Sequence, residues 1–405
     1  MGRGVLHRLF LPLAVLSAFA APPALAAPSL HERLIVLDTH LDTPTNFHLA
    51  GWDMLDRHSV AADASQVDYP RMVQGGLDGG FFVVYIPQEA VGPEGDAKAR
   101  DAALLRAAEI HEMVAKHSAQ FALAVKAEDA AAITKAGKRV VFMSMENGSP
   151  VAGDLSLMDT FYGLGVRMMG PVHMANNDLA DSSTDPNGPR WGGLSPLGRA
   201  YVARANRLGV LLDASHASDQ TLDQMLELSS APIILSHSGA RAIFNNPRNI
   251  DDARLRALAT KGGVIQINAV SNYLFASPKI PEREAAYAQL MGEVDALGPK
   301  MTAAQRAGFV ARRTAIDAKW PLERAKLSDF MRQLQHAIEV AGIDHVGISG
   351  DFDGGGGIEG LEDVADYPKI TAALLAAGYD RKAIAKIWGG NALRVLAEAD
   401  RLKAR

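Results

Sequence analysis

The chain has 405 residues, 48% hydrophobic and 21% charged, which fits a globular protein and excludes a disordered or fibrous one. Its 41 basic and 46 acidic side chains leave a net charge of −5 with no block of five like charges, which argues against a nucleic-acid binder. There is no cysteine, so thiolate metal sites, cysteine nucleophiles and disulfides drop out together, and a metal would have to be held by His, Asp and Glu.

The chain opens with Arg3, His7 and Arg8, a largely apolar run from Leu9 to Ala20, and then Pro22, Pro23 and Ala24-Leu25-Ala26-Ala27. This is the charged, apolar and small-residue order of a secretory signal peptide, expected over residues 1–26 and cleaved after Ala26. An uncleaved anchor is the alternative, although the run is short for a membrane span. Export to a bacterial periplasm is the expectation, with residues 27–405 forming a single domain.

Short apolar, β-branched runs then recur at Leu34–Leu37, Phe81–Ile86, Val140–Met145, Val166–Pro171, Val210–Leu212, Pro232–Leu235, Val264–Asn268 and His345–Ser349. They are nearly continuously apolar, as strands buried on both faces of a parallel sheet should be. Helix-patterned stretches lie between them, among them Ala97–Lys116, Leu197–Leu208, Ser218–Leu228 and Ala253–Lys261. Alternation of this kind gives the α/β class, and eight strands suggest a closed (β/α)8 barrel, the TIM-barrel architecture. A ninth run, Phe121–Val125, competes for a place in the wall. Roughly seventy residues separate the last two strands, with helical patterns over Glu282–Leu297, Ala303–Ile316 and Leu327–Ala341 and a breaker at Pro321. This reads as a helical insertion beside the barrel mouth. Residues 370–402 read as closing helices interrupted at Gly389 and Gly390.

In such a barrel the chemistry sits where the strands end. The first strand runs into Asp38-Thr39-His40-Leu41-Asp42, which puts His40 and Asp42 on one side of an extended segment. The third ends at Glu146, the fifth runs into Asp213-Ala214-Ser215-His216, and the sixth into Ser236-His237-Ser238. Singly, each histidine reads as an ordinary hydrogen-bonded residue and Glu146 as half of a salt bridge. Together, three imidazoles and two carboxylates at one face suffice for two divalent metals sharing a carboxylate. Two such metals can ionise a water held between them. The eighth strand ends in Gly350-Asp351-Phe352-Asp353-Gly354, placing Asp351 at the mouth as a proton shuttle. A calcium-like turn is the alternative, but it lacks the spaced carboxylates and closing Glu of such a site. No Gly-x-Ser-x-Gly elbow occurs, which lowers the odds of a serine hydrolase.

These motifs, in this order, resemble the membrane (renal) dipeptidase family, the M19 metallopeptidases of the amidohydrolase superfamily. The resemblance runs from Asp38–Pro44 through Ser236-His237-Ser238, Arg248–Asp252, Gly350–Gly354 and Leu361–Val364 with Tyr367-Pro368 to Asn391–Val395. It implies two zinc ions per chain, bridged by a glutamate and a hydroxide. His40, Asp42 and Glu146 would bind one ion, and Glu146, His216 and His237 the other. By the same resemblance His173 contacts the substrate carbonyl, and Arg248 holds the substrate's terminal carboxylate. Asp351 passes a proton from the attacking water to the leaving amine. The substrate would be a small dipeptide and the enzyme a homodimer.

Glu146-Asn147-Gly148-Ser149 stands where many relatives carry Glu-Gly, and the insertion is longer than expected for the mammalian forms. Both departures bear on side-chain preference. The charged end Arg401–Arg405 has no apolar tail, so no lipid anchor is expected. Competing readings are an amidohydrolase acting on N-acyl amino acids or lactams, and a periplasmic protein that binds dipeptides without cleaving them.

Overall fold

The computed structural model describes Met1, residues 29–297 and residues 301–403. Apart from Met1, the expected signal peptide lies outside the described residues.

Eight parallel strands make the barrel wall: β1 (Leu37–Leu41), β2 (Gly79–Tyr85), β3 (Arg139–Glu146), β4 (Val166–Met169), β5 (Leu211–Leu212), β6 (Ile234–Ala240), β7 (Val264–Ile267) and β8 (Val346–Ile348). They pair in two runs, β1 to β5 and β6 to β8. Single parallel bridges join the runs, Asp213 with Ile234 on one side and Leu41 with Phe352 on the other. The ring therefore closes as the apolar runs predict, but with two thin seams. The ninth run forms a short strand, Phe121–Leu123, paired with Arg139, Val140 and Val141 at the foot of β3. It stops below Met143, where β4 takes over as the neighbour of β3.

The first strand begins three residues later than its apolar run suggests, at Leu37, and includes Asp38, Thr39 and His40. The reason lies in period-two alternation, which sends every second side chain into the barrel. Leu37, Phe142, Leu211, Ile234 and Val264 belong to one buried apolar cluster that plugs the barrel floor. Two residues further along the same strands come Thr39, Ser144, Asp213, Ser236 and Gln266, all buried. Polar side chains thus form a layer between the apolar floor and the mouth.

Outer helices cover the wall. The first, α1 (Pro93–Lys116), starts with a proline suited to the first helical turn and buries Ala99, Ala103, Ala107, Ile110 and Met113 along one stripe. Further round are α2 (Leu157–Gly163), α3 (Pro196–Leu208), α4 (Asp219–Leu228) and α5 (Asp252–Thr260). The last three are capped by Ser195, Ser218 and Asp251, whose side chains accept from backbone N–H groups of the first turn.

The insertion between β7 and β8 consists of α6 (Pro281–Leu297), α7 (Ala303–Lys319) and α8 (Leu327–Ala341), with Pro321 in the linker after α7. The α6–α7 hairpin reaches across to the loop after β1, where Arg306 Nε donates to Asp63 O at 2.7 Å. The closing helices are α9 (Tyr367–Ala376) and α10 (Asn391–Arg401). Gly389 and Gly390 do not interrupt the last helix as expected. They lie in a π-helical turn, Lys386–Gly390, that runs straight into α10. Val395, Leu396 and Ala399 of α10 join the floor cluster and cap it from below.

Candidate metal centre

Each residue singled out at a strand end is buried, and most of them converge on one carboxylate. Glu146 closes β3, and its Oε1 lies 3.0 Å from His216 Nε2 and 3.3 Å from His237 Nε2. Its Oε2 lies 3.5 Å from His40 Nε2, which is 3.2 Å from Asp42 Oδ2. Among the described residues, ligand atoms within 4.8 Å of one another fall into three groups: His40, Glu146 and His237; Glu146, His173 and His216; His40, Asp42 and Asp351. Glu146 is common to two groups, as a shared carboxylate would be. His173 and Asp351 also come within ligand range, which the resemblance does not give them.

Two imidazole nitrogens, His216 Nε2 and His237 Nε2, face each other at 2.9 Å. Burial holds both rings well below the ordinary imidazole value, helped by Arg248 and His173 at His216 and by His40 at His237. Both rings are therefore neutral, with lone pairs free for a cation. For His237 the tautomer follows from its neighbours. Ser236 Oγ donates to Asp213 Oδ2 at 2.5 Å, so at 2.8 Å it can only accept from His237 Nδ1. That fixes the proton on Nδ1 and turns Nε2 toward Glu146.

His40 differs: burial alone would lower it, but the Glu146 and Asp42 carboxylates outweigh burial and raise it well above the usual value. For Glu146 burial is likewise outweighed, by His40, His173 and the other two imidazoles, and the carboxyl is pulled well below its ordinary value. The buried His40 Nδ1, Asp42 Oδ1 and His216 Nδ1 have no hydrogen-bond partner. An all-nitrogen-and-oxygen donor set packed this closely, with the neutral rings of His216 and His237 and an ionised carboxylate, fits divalent cations.

Backbone strain collects at the same place. Asn147, His216 and Asp351 have φ of 67°, 67° and 52°, the left-handed region that side chains other than glycine rarely occupy. Burial, reinforced by Asp42 and Glu146, pushes Asp351 up to about 7 against the opposing pull of His40 and Arg248. His173 sits 3.9 Å from Glu146 Oε1, with its ring against His216 and edge-on to Tyr85. Its pKa is lowered by burial, so it is a neutral hydrogen-bonding group.

Arg248 is 3% exposed. Its Nη2 donates to His237 O at 3.1 Å, its guanidinium lies 5.2 Å from the Tyr273 ring centre, and its Nε has no partner. A two-residue strand, Asn249–Ile250, pairs with Gly239 and Ala240 and carries Arg248 to the mouth. Sequence reasoning missed that strand, and with it Tyr273, Tyr85 and the Asp213–Ser236 pair behind His237. Asp213 and Ser236 were each visible at the end of their own strand, but not as a pair.

The family model described as membrane dipeptidase (peptidase family M19) matches residues 25–405. Among curated proteins, dipeptidase tcpJ of Claviceps purpurea is 30% identical over 359 residues, 86% of this chain and 73% of that protein. Among solved structures, the probable dipeptidase PvdM from Pseudomonas aeruginosa is 34% identical with a TM-score of 0.78, covering 92% of this chain and 97% of that one. A metallopeptidase from Rhodobacter sphaeroides, liganded with a phosphinate mimic of the dipeptide L-Ala-D-Ala, is 25% identical with a TM-score of 0.68, covering 90% of this chain and 99% of that one. Every barrel strand and every strand-end residue falls within the matched span, and the chain belongs to the membrane dipeptidase family, peptidase family M19.

Proposed function

We propose that this protein is a zinc-dependent dipeptidase that hydrolyses the peptide bond of dipeptides. The observation that carries the reading is the convergence of three imidazoles on the two oxygens of Glu146, beside a buried guanidinium, that of Arg248, whose Nε has no partner. His40, Asp42 and Glu146 would hold one ion and Glu146, His216 and His237 the other. Bound metal supplies Lewis acidity toward the scissile carbonyl and lowers the pKa of an attacking water.

The remaining work falls to side chains. Asp351, within ligand range of His40 and Asp42, is placed to take the proton of the attacking water and return it to the leaving amine. His173, neutral and beside Glu146, donates a hydrogen bond to the oxyanion that develops on the carbonyl. Arg248 binds the terminal carboxylate with its planar guanidinium. Because it is fixed in place it measures length: a third residue would carry the carboxylate out of reach.

We also infer export, with residues 1–26 as a signal peptide that leaves a single domain from residue 27 in a bacterial periplasm. The order of charged, apolar and small residues supports this, as does a family match that begins at residue 25. Among the described residues no helix is long and apolar enough to cross a membrane. The mature enzyme is expected to be a homodimer.

The test combines metal content with hydrolysis of a panel of L,L- and L,D-dipeptides, N-acyl amino acids and lactams. About two zinc per chain and chelator-sensitive dipeptide cleavage are expected. Cleavage of the acylated compounds but not of dipeptides would move the activity to another amide. Absence of metal would overturn the centre itself. Amino-terminal sequencing of the exported protein should begin at Ala27.

A further inference from the structure

Asp38 is a fully buried carboxylate that takes no part in the proposed reaction, yet it is bonded to the backbone of His40 and of Gly350, the residue before Asp351. Four donors surround it. Oδ1 accepts from His40 N at 3.0 Å and Ser349 Oγ at 3.1 Å, and Oδ2 accepts from Gly350 N at 3.0 Å and from Tyr367 OH. The donors come from three elements: the end of β1, the segment just after β8 and the first residue of α9. Two of them immediately precede Asp351, and one is the backbone of His40 itself. Between these two strand ends the wall has a single bridge, Leu41 with Phe352.

We propose that Asp38 is a positioning residue that sets the spacing between His40 and Asp351, with Tyr367 as its prop. The inference rests on the dipeptidase reading, since it assigns Asp351 a task that needs exact placement. Asp351 occupies a backbone conformation with φ of 52°, which must be imposed from outside. The anchored amide of Gly350 supplies that constraint from one side. The Leu41–Phe352 bridge, together with Asp42 N donating to Phe352 O at 3.0 Å, supplies it from the other.

A carboxylate is specifically required, because each oxygen faces one backbone N–H that cannot turn away. An asparagine would set its NH2 against either His40 N or Gly350 N, whichever way the amide were flipped. The hydroxyls of Ser349 and Tyr367 could reverse to accept, but those backbone groups could not.

The experiment compares wild type, Asp38→Asn and Tyr367→Phe for kcat, KM, bound metal and Tm with a cleaved dipeptide. It adds crystal structures of wild type and Asp38→Asn. The expected result for Asp38→Asn is a kcat at least about tenfold lower, with KM within about twofold because Arg248 is untouched, and with metal retained. Tyr367→Phe should move the same way by a smaller factor, and the His40-to-Asp351 spacing should change in the Asn variant. A metal-loaded Asp38→Asn enzyme with wild-type kcat would overturn the proposal. So would parallel losses of kcat, KM, metal and Tm, the signature of a general strut. If Asp38→Asn does not fold, Tyr367→Phe decides, and kcat within about twofold of wild type counts against the proposal. If the wild-type enzyme cleaves no dipeptide, it is the dipeptidase reading that fails. The crystallographic spacing then tests Asp38 alone, and an unmoved spacing overturns its role.

Discussion

Gly354 leaves room beside the main chain for the carboxylates of Asp42 and Asp351. A Cβ there would lie 2.0 Å from Asp42 Oδ2 and 2.7 Å from Asp351 Oδ1, inside any permitted contact. Gly354→Ala should therefore displace a metal-type carboxylate and the proposed proton carrier together. We expect at least a hundredfold loss of kcat/KM with weakened metal binding, read by titration with zinc; wild-type affinity and turnover would show that the loop can simply move. Arg248 and Asp351 should separate cleanly in kinetics. Arg248→Ala is expected to raise KM for dipeptides strongly, because it would remove the proposed carboxylate anchor, and an unchanged KM would remove it from that role. Asp351→Asn is expected to lower kcat by a factor of order 100 or more with metal retained, since an amide could not carry the proton that the proposed mechanism assigns to Asp351. Near-normal turnover would end the shuttle assignment.

At the level of elements, the loop after β8 is fastened by Asp353, which accepts from Thr43 Oγ1 and from Gln66 N, each at 2.7 Å. Burial raises its carboxyl from the ordinary 3.8 to about 6. The folded state thus holds the proton more tightly than the unfolded chain, so this group's contribution to stability is greatest below about pH 4. It declines as pH rises to about 6 and is constant beyond. Asparagine can keep both contacts, its Oδ1 accepting from Gln66 N and its Nδ2 donating to Thr43 Oγ1 once that hydroxyl turns to accept. Asp353→Asn is accordingly expected to stabilise the protein by about 2–3 kcal/mol at pH 8 and by little at pH 4. Denaturant titrations at both values check the sign, and equal shifts would refute it. The strands that carry these loops were legible because buried parallel strands are continuous apolar runs, and His40, Glu146, His216 and His237 stood out as polar residues ending such runs. The start of β1 was misjudged because Asp38, Thr39 and His40 are polar residues inside a strand, tolerated only because the barrel interior supplies their partners. Contacts such as Asp38 with Tyr367, 329 residues apart, leave no local trace in sequence. The approach of Arg248 likewise depends on a two-residue strand whose partner must already be in place.

Across the whole molecule, the candidate ligands straddle the two seams of the wall. His40, Asp42 and Glu146 belong to the run of five strands, His237 and Asp351 to the run of three, and His216 follows β5 at the first seam. A cation held by residues from both runs ties them together. Loading should raise Tm, with a gain of about 2.7 kcal/mol at a hundredfold excess of free metal over Kd. Hydrogen exchange should slow most at the seam amides Asp42 N and Ala214 N when chelator is removed. Uniform slowing along the wall would mean that the seams are no weaker than the rest. The plugged floor governs traffic. With Phe81 and Phe142 packed in the floor cluster and α10 beneath it, the chamber is a cul-de-sac. Both amino acids released by a cut must leave by the doorway the dipeptide used, so the departing halves queue against the next arrival. Free amino acids that fit the Arg248 anchor should accordingly compete with substrate, and accumulation of product should brake the enzyme from within.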